Sequence, residues 1–218
     1  MNILDYIVPI FYKSEFNGSG FIVGTVLVTA AHVVISEKRS FSILYRGQKI
    51  PIGPEKNIIF EYPKEKDKQG LNNRYWDLAV YKMDNIVSPL VLQEPNFSEE
   101  CLYQGYSDST LQVDSYSIVL NNNAYYYPPE YDAKPIPINN CCISQIGKCK
   151  PGNSGGPLFQ GNSVVGMLSG EQQLHNLSWD RIIKADYILH KILKHDSNNT
   201  SDKTIDKYPI WISFIHVG

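Results

Sequence analysis

Apolar residues along this chain come in short runs, separated by turns rich in Gly, Pro, Asn and Asp. Runs of this length with β-branched and aromatic members predict strands. The first set is Ile7–Tyr12, Phe21–Gly24, Val26–Thr29, Phe41–Tyr45, Ile58–Tyr62 and Leu78–Met83. Asn17-Gly18-Ser19-Gly20 reads as the turn between the first two, and Arg46-Gly47 as another. The spacing suits a small antiparallel barrel. Residues 84–97 carry Pro89 and Pro95 without clean periodicity and read as a linker between two lobes. A second set follows: Cys101–Tyr106, Gln112–Leu120, Ile136–Gln145, Pro157–Gln160 and Ser163–Ser169, with Ile182–Tyr187 as a candidate last strand. Asn121–Pro135, rich in Tyr, Pro and Asn, reads as a long loop, either plain surface or the border of a groove. Asp186–His195 predicts a short helix, with Ile188, Leu189, Ile192 and Leu193 on one face and Asp186 at its cap. Beyond a polar stretch, Tyr208–Gly218 turns apolar again and is expected to dock on its own body or on a partner. The resulting division is an N-terminal lobe 1–83, a linker 84–97, a C-terminal lobe 98–187, and a helix with tail 188–218.

Composition narrows the function classes. The chain has 218 residues, 43% of them hydrophobic, and a net charge of −2 with no long block of one sign, so neither nucleic acid nor an anionic membrane is an expected partner. No run approaches the ~18 apolar residues of a spanning helix. The start, Met1-Asn2-Ile3-Leu4-Asp5, has no basic region and an interrupted apolar stretch, unlike a secretory signal, and a cytoplasmic location is expected. The four cysteines, Cys101, Cys141, Cys142 and Cys149, form no paired Cys-x-x-Cys units. Free buried thiols fit them best; a zinc site or a disulfide remains open. No cofactor or metal is expected.

Three short segments carry chemistry. Gly152-Asn153-Ser154-Gly155-Gly156-Pro157 sets a serine in a glycine-rich turn. Glycine permits positive φ and close approach of backbone to a substrate, and the N–H groups of Gly152 and Ser154 can converge on one developing oxyanion. A serine hydroxyl needs a base, and a histidine acting as that base needs a carboxylate to fix its tautomer. His32 ends Thr29-Ala30-Ala31-His32, and Asp77 opens Asp77-Leu78-Ala79-Val80. Each alone has a plain structural explanation; their order and spacing together point to a nucleophilic centre between two lobes.

These three segments resemble the signature blocks of trypsin-like serine peptidases with the chymotrypsin fold. Gly18-Ser19-Gly20-Phe21-Ile22-Val23 is similar to the strand before the histidine block in bacterial members, and Gly166-Met167-Leu168-Ser169-Gly170 resembles the strand lining the primary specificity pocket. The resemblance implies an all-β fold of two antiparallel six-stranded β-barrels with a triad between them, here followed by a short C-terminal helix and extension. It implies peptide-bond hydrolysis with Ser154 as nucleophile, His32 as base then acid, Asp77 as orienter, and the amides of Gly152 and Ser154 as oxyanion hole. Ser169 and Glu171 would pair substrate backbone as an added strand. Lys148 would sit at the pocket base and favour an acidic side chain, unless its loop is shifted and the lysine faces water.

Members made as zymogens carry aspartate before the serine; here the residue is Asn153, which cannot pair with a new N-terminal amine. The chain is therefore expected to act without N-terminal cleavage, with Asn153 holding the turn through its amide. The expected partners are a peptide or protein substrate and a regulatory partner at the C-terminal tail. Two other readings stay open: a silent protease-fold binding module, and an esterase or acyl-transfer enzyme using the same triad. The chain order His, Asp, Ser disfavours an α/β-hydrolase.

Overall fold

A computed structural model describes residues 2–62, 77–107, 111–122, 124–126, 136–137, 139–144, 149–174 and 177–199. The expected Lys148 and the tail Tyr208–Gly218 lie outside them. The first lobe holds β1 (Ile7–Tyr12), β2 (Glu15–Val23), β3 (Val26–Thr29), β4 (Phe41–Tyr45), β5 (Gln48–Ile52), β6 (Asn57–Glu61) and β7 (Leu78–Lys82). They form one seven-stranded sheet in the order β5-β4-β1-β2-β3-β7-β6. A single turn of helix, α1 (Ala31–Val34), follows β3. The second lobe holds β8 (Val91–Leu92), β9 (Glu100–Ser107), β10 (Gln112–Asn121), a two-stranded pairing of β11 (Tyr125–Tyr126) with β12 (Ile136–Pro137), then β13 (Cys141–Ser144), β14 (Pro157–Gln160), β15 (Ser163–Leu174) and β16 (Leu177–Lys184). Its ladder runs β14-β9-β10-β13-β16-β15, and a further β14–β15 pairing closes it into a six-stranded barrel.

Several expectations are corrected. Gly18–Gly20 lie inside β2, not in a turn; the chain reverses earlier, at Lys13 and Ser14, both at positive φ. β5 was not foreseen because Pro51 interrupts its pattern, but it is an edge strand, where a missing N–H costs no ladder bond. The all-β architecture of two antiparallel lobes is as expected; the first lobe has a seventh strand and, among the described residues, no ladder joins β5 to β6, so it is a half-barrel beside the closed barrel of the second lobe. The presumed linker contributes β8, which pairs in parallel with β15. Residues 136–145 split into β12 and β13. The helix α2 runs Ala185–Asn199, so Asp186 lies in its first turn and Ala185–Tyr187 are helical rather than strand.

The period-two pattern puts alternate side chains on opposite faces. On β13, Cys141 joins the larger core cluster and its neighbour Cys142 the smaller one, with Tyr103, Leu158, Leu168 and Ile182. All four cysteines are free. Burial pushes the thiols of Cys101 and Cys141 up to about 12, which makes them inert as nucleophiles near neutral pH. The larger cluster unites Ile10, Phe21, Leu27, Val28, Leu78 and Val80 of the first lobe with Met167, Ile183 and Ile188 of the second. Each such side chain contributes about 1.5–3 kcal/mol on full burial, so the lobes are joined by core and not only by chain. Ile188 and Ile192 seat α2 on that core, and Tyr187 donates to Glu61 Oε2 of β6 at 2.7 Å, with Lys191 on the same carboxylate. Among the described residues no helix is long and apolar enough to cross a membrane.

Candidate active site

Asp77 stands immediately before β7 and has no exposed surface. A carboxylate buried this way must be satisfied by donors. Its Oδ1 accepts from the backbone N–H of His32 at 2.9 Å. Its Oδ2 lies 2.6 Å from His32 Nδ1 and accepts from the Ser169 hydroxyl at 2.8 Å. Burial alone would raise the pKa of Asp77; the His32 ring and its charge, the His32 amide and Ser169 outweigh that and hold it below the ordinary carboxylate value. An anionic Asp77 makes Nδ1 the donor, which leaves Nε2 as the nitrogen able to accept a proton.

His32 lies in α1, the turn of helix that follows β3. A helix this short is marginal by itself. Ala31, Val33 and Val34 anchor it by burial, and Asp77 supplies an acceptor and a negative charge to one of its unpaired N-terminal N–H groups. The same carboxylate therefore fixes both the backbone and the ring of His32.

Ser154 sits in a turn whose backbone is bonded from three sides. Its carbonyl accepts from Ser19 N of β2 at 2.9 Å, which ties the turn to the first lobe. Gly155 N donates to Leu168 O at 2.7 Å, and Leu168 N to Gly156 O at 2.9 Å, which ties it to β15. The Tyr103 hydroxyl donates to Asn153 O at 2.7 Å from β9. Just before, Asn153 N donates to Lys150 O at 3.0 Å, with Pro151 and then Gly152 (φ +92°) between them. Proline followed by a residue at positive φ is the pattern of a type II turn, which only glycine fits easily. Among the described residues, the N–H groups of Gly152 and Ser154 donate to no protein acceptor, and no hydrogen bond joins His32 Nε2 to Ser154 Oγ.

Gly155 has φ +86°, and a Cβ there would overlap the Ser19 carbonyl and lie 2.5 Å from Thr29 Oγ1. Gly155→Ala is expected to cost more than about 2 kcal/mol, from left-handed strain plus a backbone clash. A urea melt monitored by tryptophan fluorescence checks this; an unchanged midpoint would contradict the tight lobe contact.

Of the residues singled out by sequence, His32 and Asp77 are in direct contact, and Ser154, Gly152 and Ser169 belong to the same region. The Ser169 side chain turns inward onto Asp77, at a register shift in the β15–β16 ladder that bends the strand there. Glu171 pairs through its backbone with Asp180. Sequence reasoning missed Ser19. Its hydroxyl donates to Gly152 O at 3.0 Å and to Tyr106 O at 3.2 Å, and accepts from Tyr106 N at 2.8 Å. It missed Arg181 as well, whose Nε lies 3.4 Å from the Ser169 hydroxyl. Among the described residues no cluster of His, Cys, Asp and Glu could hold a metal ion.

A family model described as Trypsin matches residues 2–178. No curated protein matches the chain. Solved structures do, at low identity. The Rv3671c protease of M. tuberculosis in its inactive form is 16% identical, with 87% of this chain and 88% of that one covered and a TM-score of 0.61. Neuropsin, a serine protease expressed in the limbic system of mouse brain, is 15% identical over 87% of this chain and 93% of its own, TM-score 0.61. The scabies mite inactivated protease paralogue S-I1 is 15% identical over 91% and 97%, TM-score 0.63. At these identities the likeness is one of fold.

Proposed function

Because the chain belongs to the trypsin family of serine proteases, we propose that it is a serine endopeptidase working through Ser154, His32 and Asp77. The observation that carries this is the buried Asp77 carboxylate bonded to both the amide and Nδ1 of His32, in a molecule that also holds Ser154 in a rigid glycine turn. Ser154 Oγ attacks the scissile carbonyl carbon as its proton passes to His32 Nε2. The oxyanion is met by the N–H groups of Gly152 and Ser154, which have no other protein acceptor among the described residues. Collapse breaks the C–N bond, and the leaving amine takes the proton from Nε2. Water then attacks the Ser154 ester, gives its proton to Nε2, and the acid leaves as the proton returns to Oγ.

The enzyme needs no cut at its N-terminus. Where an ion pair with a new amine would otherwise order the turn, Asn153 is buried and its side chain is satisfied by neutral and charged neighbours. Asn153 Oδ1 accepts from Lys150 N at 2.9 Å and from the Tyr116 hydroxyl at 3.4 Å. Asn153 Nδ2 donates to Tyr106 O at 3.1 Å and to Asp114 Oδ2 at 3.4 Å. With the Asn153 N to Lys150 O bond, this clamps the Pro151–Gly152 peptide from both ends. Asn153→Ala is expected to lower kcat/KM by about 10²–10³-fold, as for loss of an oxyanion donor, with most of the change in kcat. Steady-state kinetics checks it; an unchanged kcat would mean that the clamp does not set the turn.

The test of the activity is hydrolysis of a peptide library by the unprocessed chain, alongside ester substrates, with intact mass read before and after. Peptide cleavage by chains still carrying Met1 supports the proposal. Turnover of esters alone supports an acyl-transfer role instead. The resting site also favours a second reading, a silent binding module, in one respect: the bond from Nε2 to Ser154 is not made among the described residues. Peptide bound without turnover would select it. A cytoplasmic, reducing location is part of the proposal, supported by the four free thiols. So is a regulatory partner at Tyr208–Gly218, supported by the apolar composition of that tail.

A further inference from the structure

Cations gather around the hairpin that joins β1 to β2. Tyr12 pairs with Glu15, so the chain reverses through Lys13 (φ +49°) and Ser14 (φ +72°) alone. Positive φ at both central positions suits Asn-Gly; here left-handed strain is accepted to carry a lysine at the tip. The Arg39 guanidinium lies 5.4 Å from the centroid of the Tyr12 ring and donates to its hydroxyl at 3.1 Å. Lys13 Nζ lies 5.6 Å from the same centroid. Lys49 Nζ lies 5.8 Å from the centroid of the Phe11 ring and donates to the Ser14 hydroxyl at 3.4 Å. All three cations are exposed, and so is Lys38 beside Arg39. Among the described residues none of these four is in an ion pair, and Glu15 and Glu37, the acidic residues nearest in sequence, bond to none of them. Arg46 differs, being held by Asp5 at 3.3 Å. Two cations thus share the Tyr12 ring with no carboxylate between them, a repulsion that the ring face offsets only in part.

We propose that this surface docks an acidic segment of a protein substrate, several residues beyond the scissile bond on its leaving-group side. This rests on the peptidase reading above. The Ser154 turn stands between two flanks: β15 bonds to Gly155 and Gly156, and β2 bonds to the Ser154 carbonyl. The leaving amine takes its proton from His32, and α1, which carries His32, is fastened to β2. Asn17 Nδ2 donates to Val33 O, and a Cβ at Gly18 would lie 2.7 Å from a Val33 methyl. The leaving chain therefore departs over β2 and α1, and both lead to the cations. A Cβ at Gly18 would also lie 3.1 Å from the Ser154 carbonyl. From Gly18 back along β2 to Ser14 is about 13 Å, at about 3.3 Å per residue, a span that an extended substrate crosses in about four to six residues. Carboxylates arriving there meet cations already placed by aromatic faces and by Ser14, so less side-chain freedom is lost on pairing. Exposed pairs contribute modestly one by one; together they act on affinity and encounter, not on the chemical step.

The test is a set of internally quenched peptide pools, each a randomised stretch followed by a short tail of Asp and Glu, of Asn and Gln, or of Lys, with cleavage sites mapped by mass. At low ionic strength the acidic tail is expected to exceed the amide tail in kcat/KM by about tenfold, through KM, with kcat within about twofold and the Lys tail slowest. Half-molar salt is expected to shrink the ratio to about twofold, because the pairs are exposed. The same acidic tail placed before the randomised stretch is expected to give no such gain. A variant combining Lys13→Gln, Arg39→Gln and Lys49→Gln is expected to bring the acidic-to-amide ratio within about twofold; the salt and tail-placement arms on the parent chain decide even if it folds poorly. Equal cleavage of acidic and amide tails, fastest cleavage of the Lys tail, or an acidic preference that survives in the folded triple variant overturns the proposal and leaves the peptidase reading intact. No cleavage of any pool, with Ser154 inert to a fluorophosphonate, overturns the peptidase reading and this proposal with it.

Discussion

Ser154→Ala is expected to lower kcat for peptide hydrolysis by about 10⁴–10⁶-fold, the range for loss of a serine nucleophile whose partners remain. The substitution deletes one oxygen from a partly exposed side chain that makes no hydrogen bond among the described residues, so the fold should hardly notice it. The turn is set by the Ser154 carbonyl, Gly155 and Gly156, none of which changes. The urea midpoint should therefore stay within experimental error of the parent. His32→Ala should cost a similar factor, and the double variant little more, because the two groups act as one unit. Stopped-flow and long-time-course assays check both. An additive double variant would mean that the imidazole and the hydroxyl do not work on the same proton.

Asp77→Asn is expected to lower kcat by about 10⁴-fold while binding changes far less. An amide at this position can offer an N–H to Nδ1, which puts the proton on Nε2 and removes the base. The same variant has a second readout in stability. The carboxyl of Asp77 titrates below its ordinary value in the folded chain, so its contribution is fully present above the unfolded value of about 3.9. It is lost as pH falls from there through the lower folded value, because the unfolded chain takes up the proton first. Urea midpoints between pH 2 and 6 should therefore fall more steeply toward acid for the parent than for Asp77→Asn. Parallel curves would contradict the burial and bonding assigned to this carboxylate.

Some of this was legible in the residues alone. The strands of both lobes stand out because apolar runs alternate with turns, and the triad segments stand out because glycine, histidine and aspartate are rarely grouped that way by chance. The residues that hold the site together leave no such trace. Ser19 bonds to Gly152 across 133 positions and to Tyr106 across 87, and a lone serine in a strand carries no sign of either contact. Its flanking glycines look like a turn, yet they are small for another reason. A Cβ at Gly18 would lie 2.7 Å from a Val33 methyl and 3.1 Å from the Ser154 carbonyl, so the strand must run bare to let the two lobes meet. Ser169 and Arg181 are hidden in the same way. The inward turn of Ser169 depends on a bulge that shifts the register, and a bulge has no composition of its own. Asn153 was legible as a missing charge, but its four side-chain partners come from β9, β10 and the turn itself, and only the folded chain brings them together.

The account depends on one nucleophile, made reactive by a histidine held on a buried carboxylate. Reaction of the intact chain with a fluorophosphonate, followed by peptide mass mapping, addresses that dependence most directly. The expected outcome is one adduct per chain, on Ser154, formed much more slowly when Asp77 is replaced by Asn. A chain that stays unlabelled, or one labelled elsewhere with Ser154 free, contradicts it.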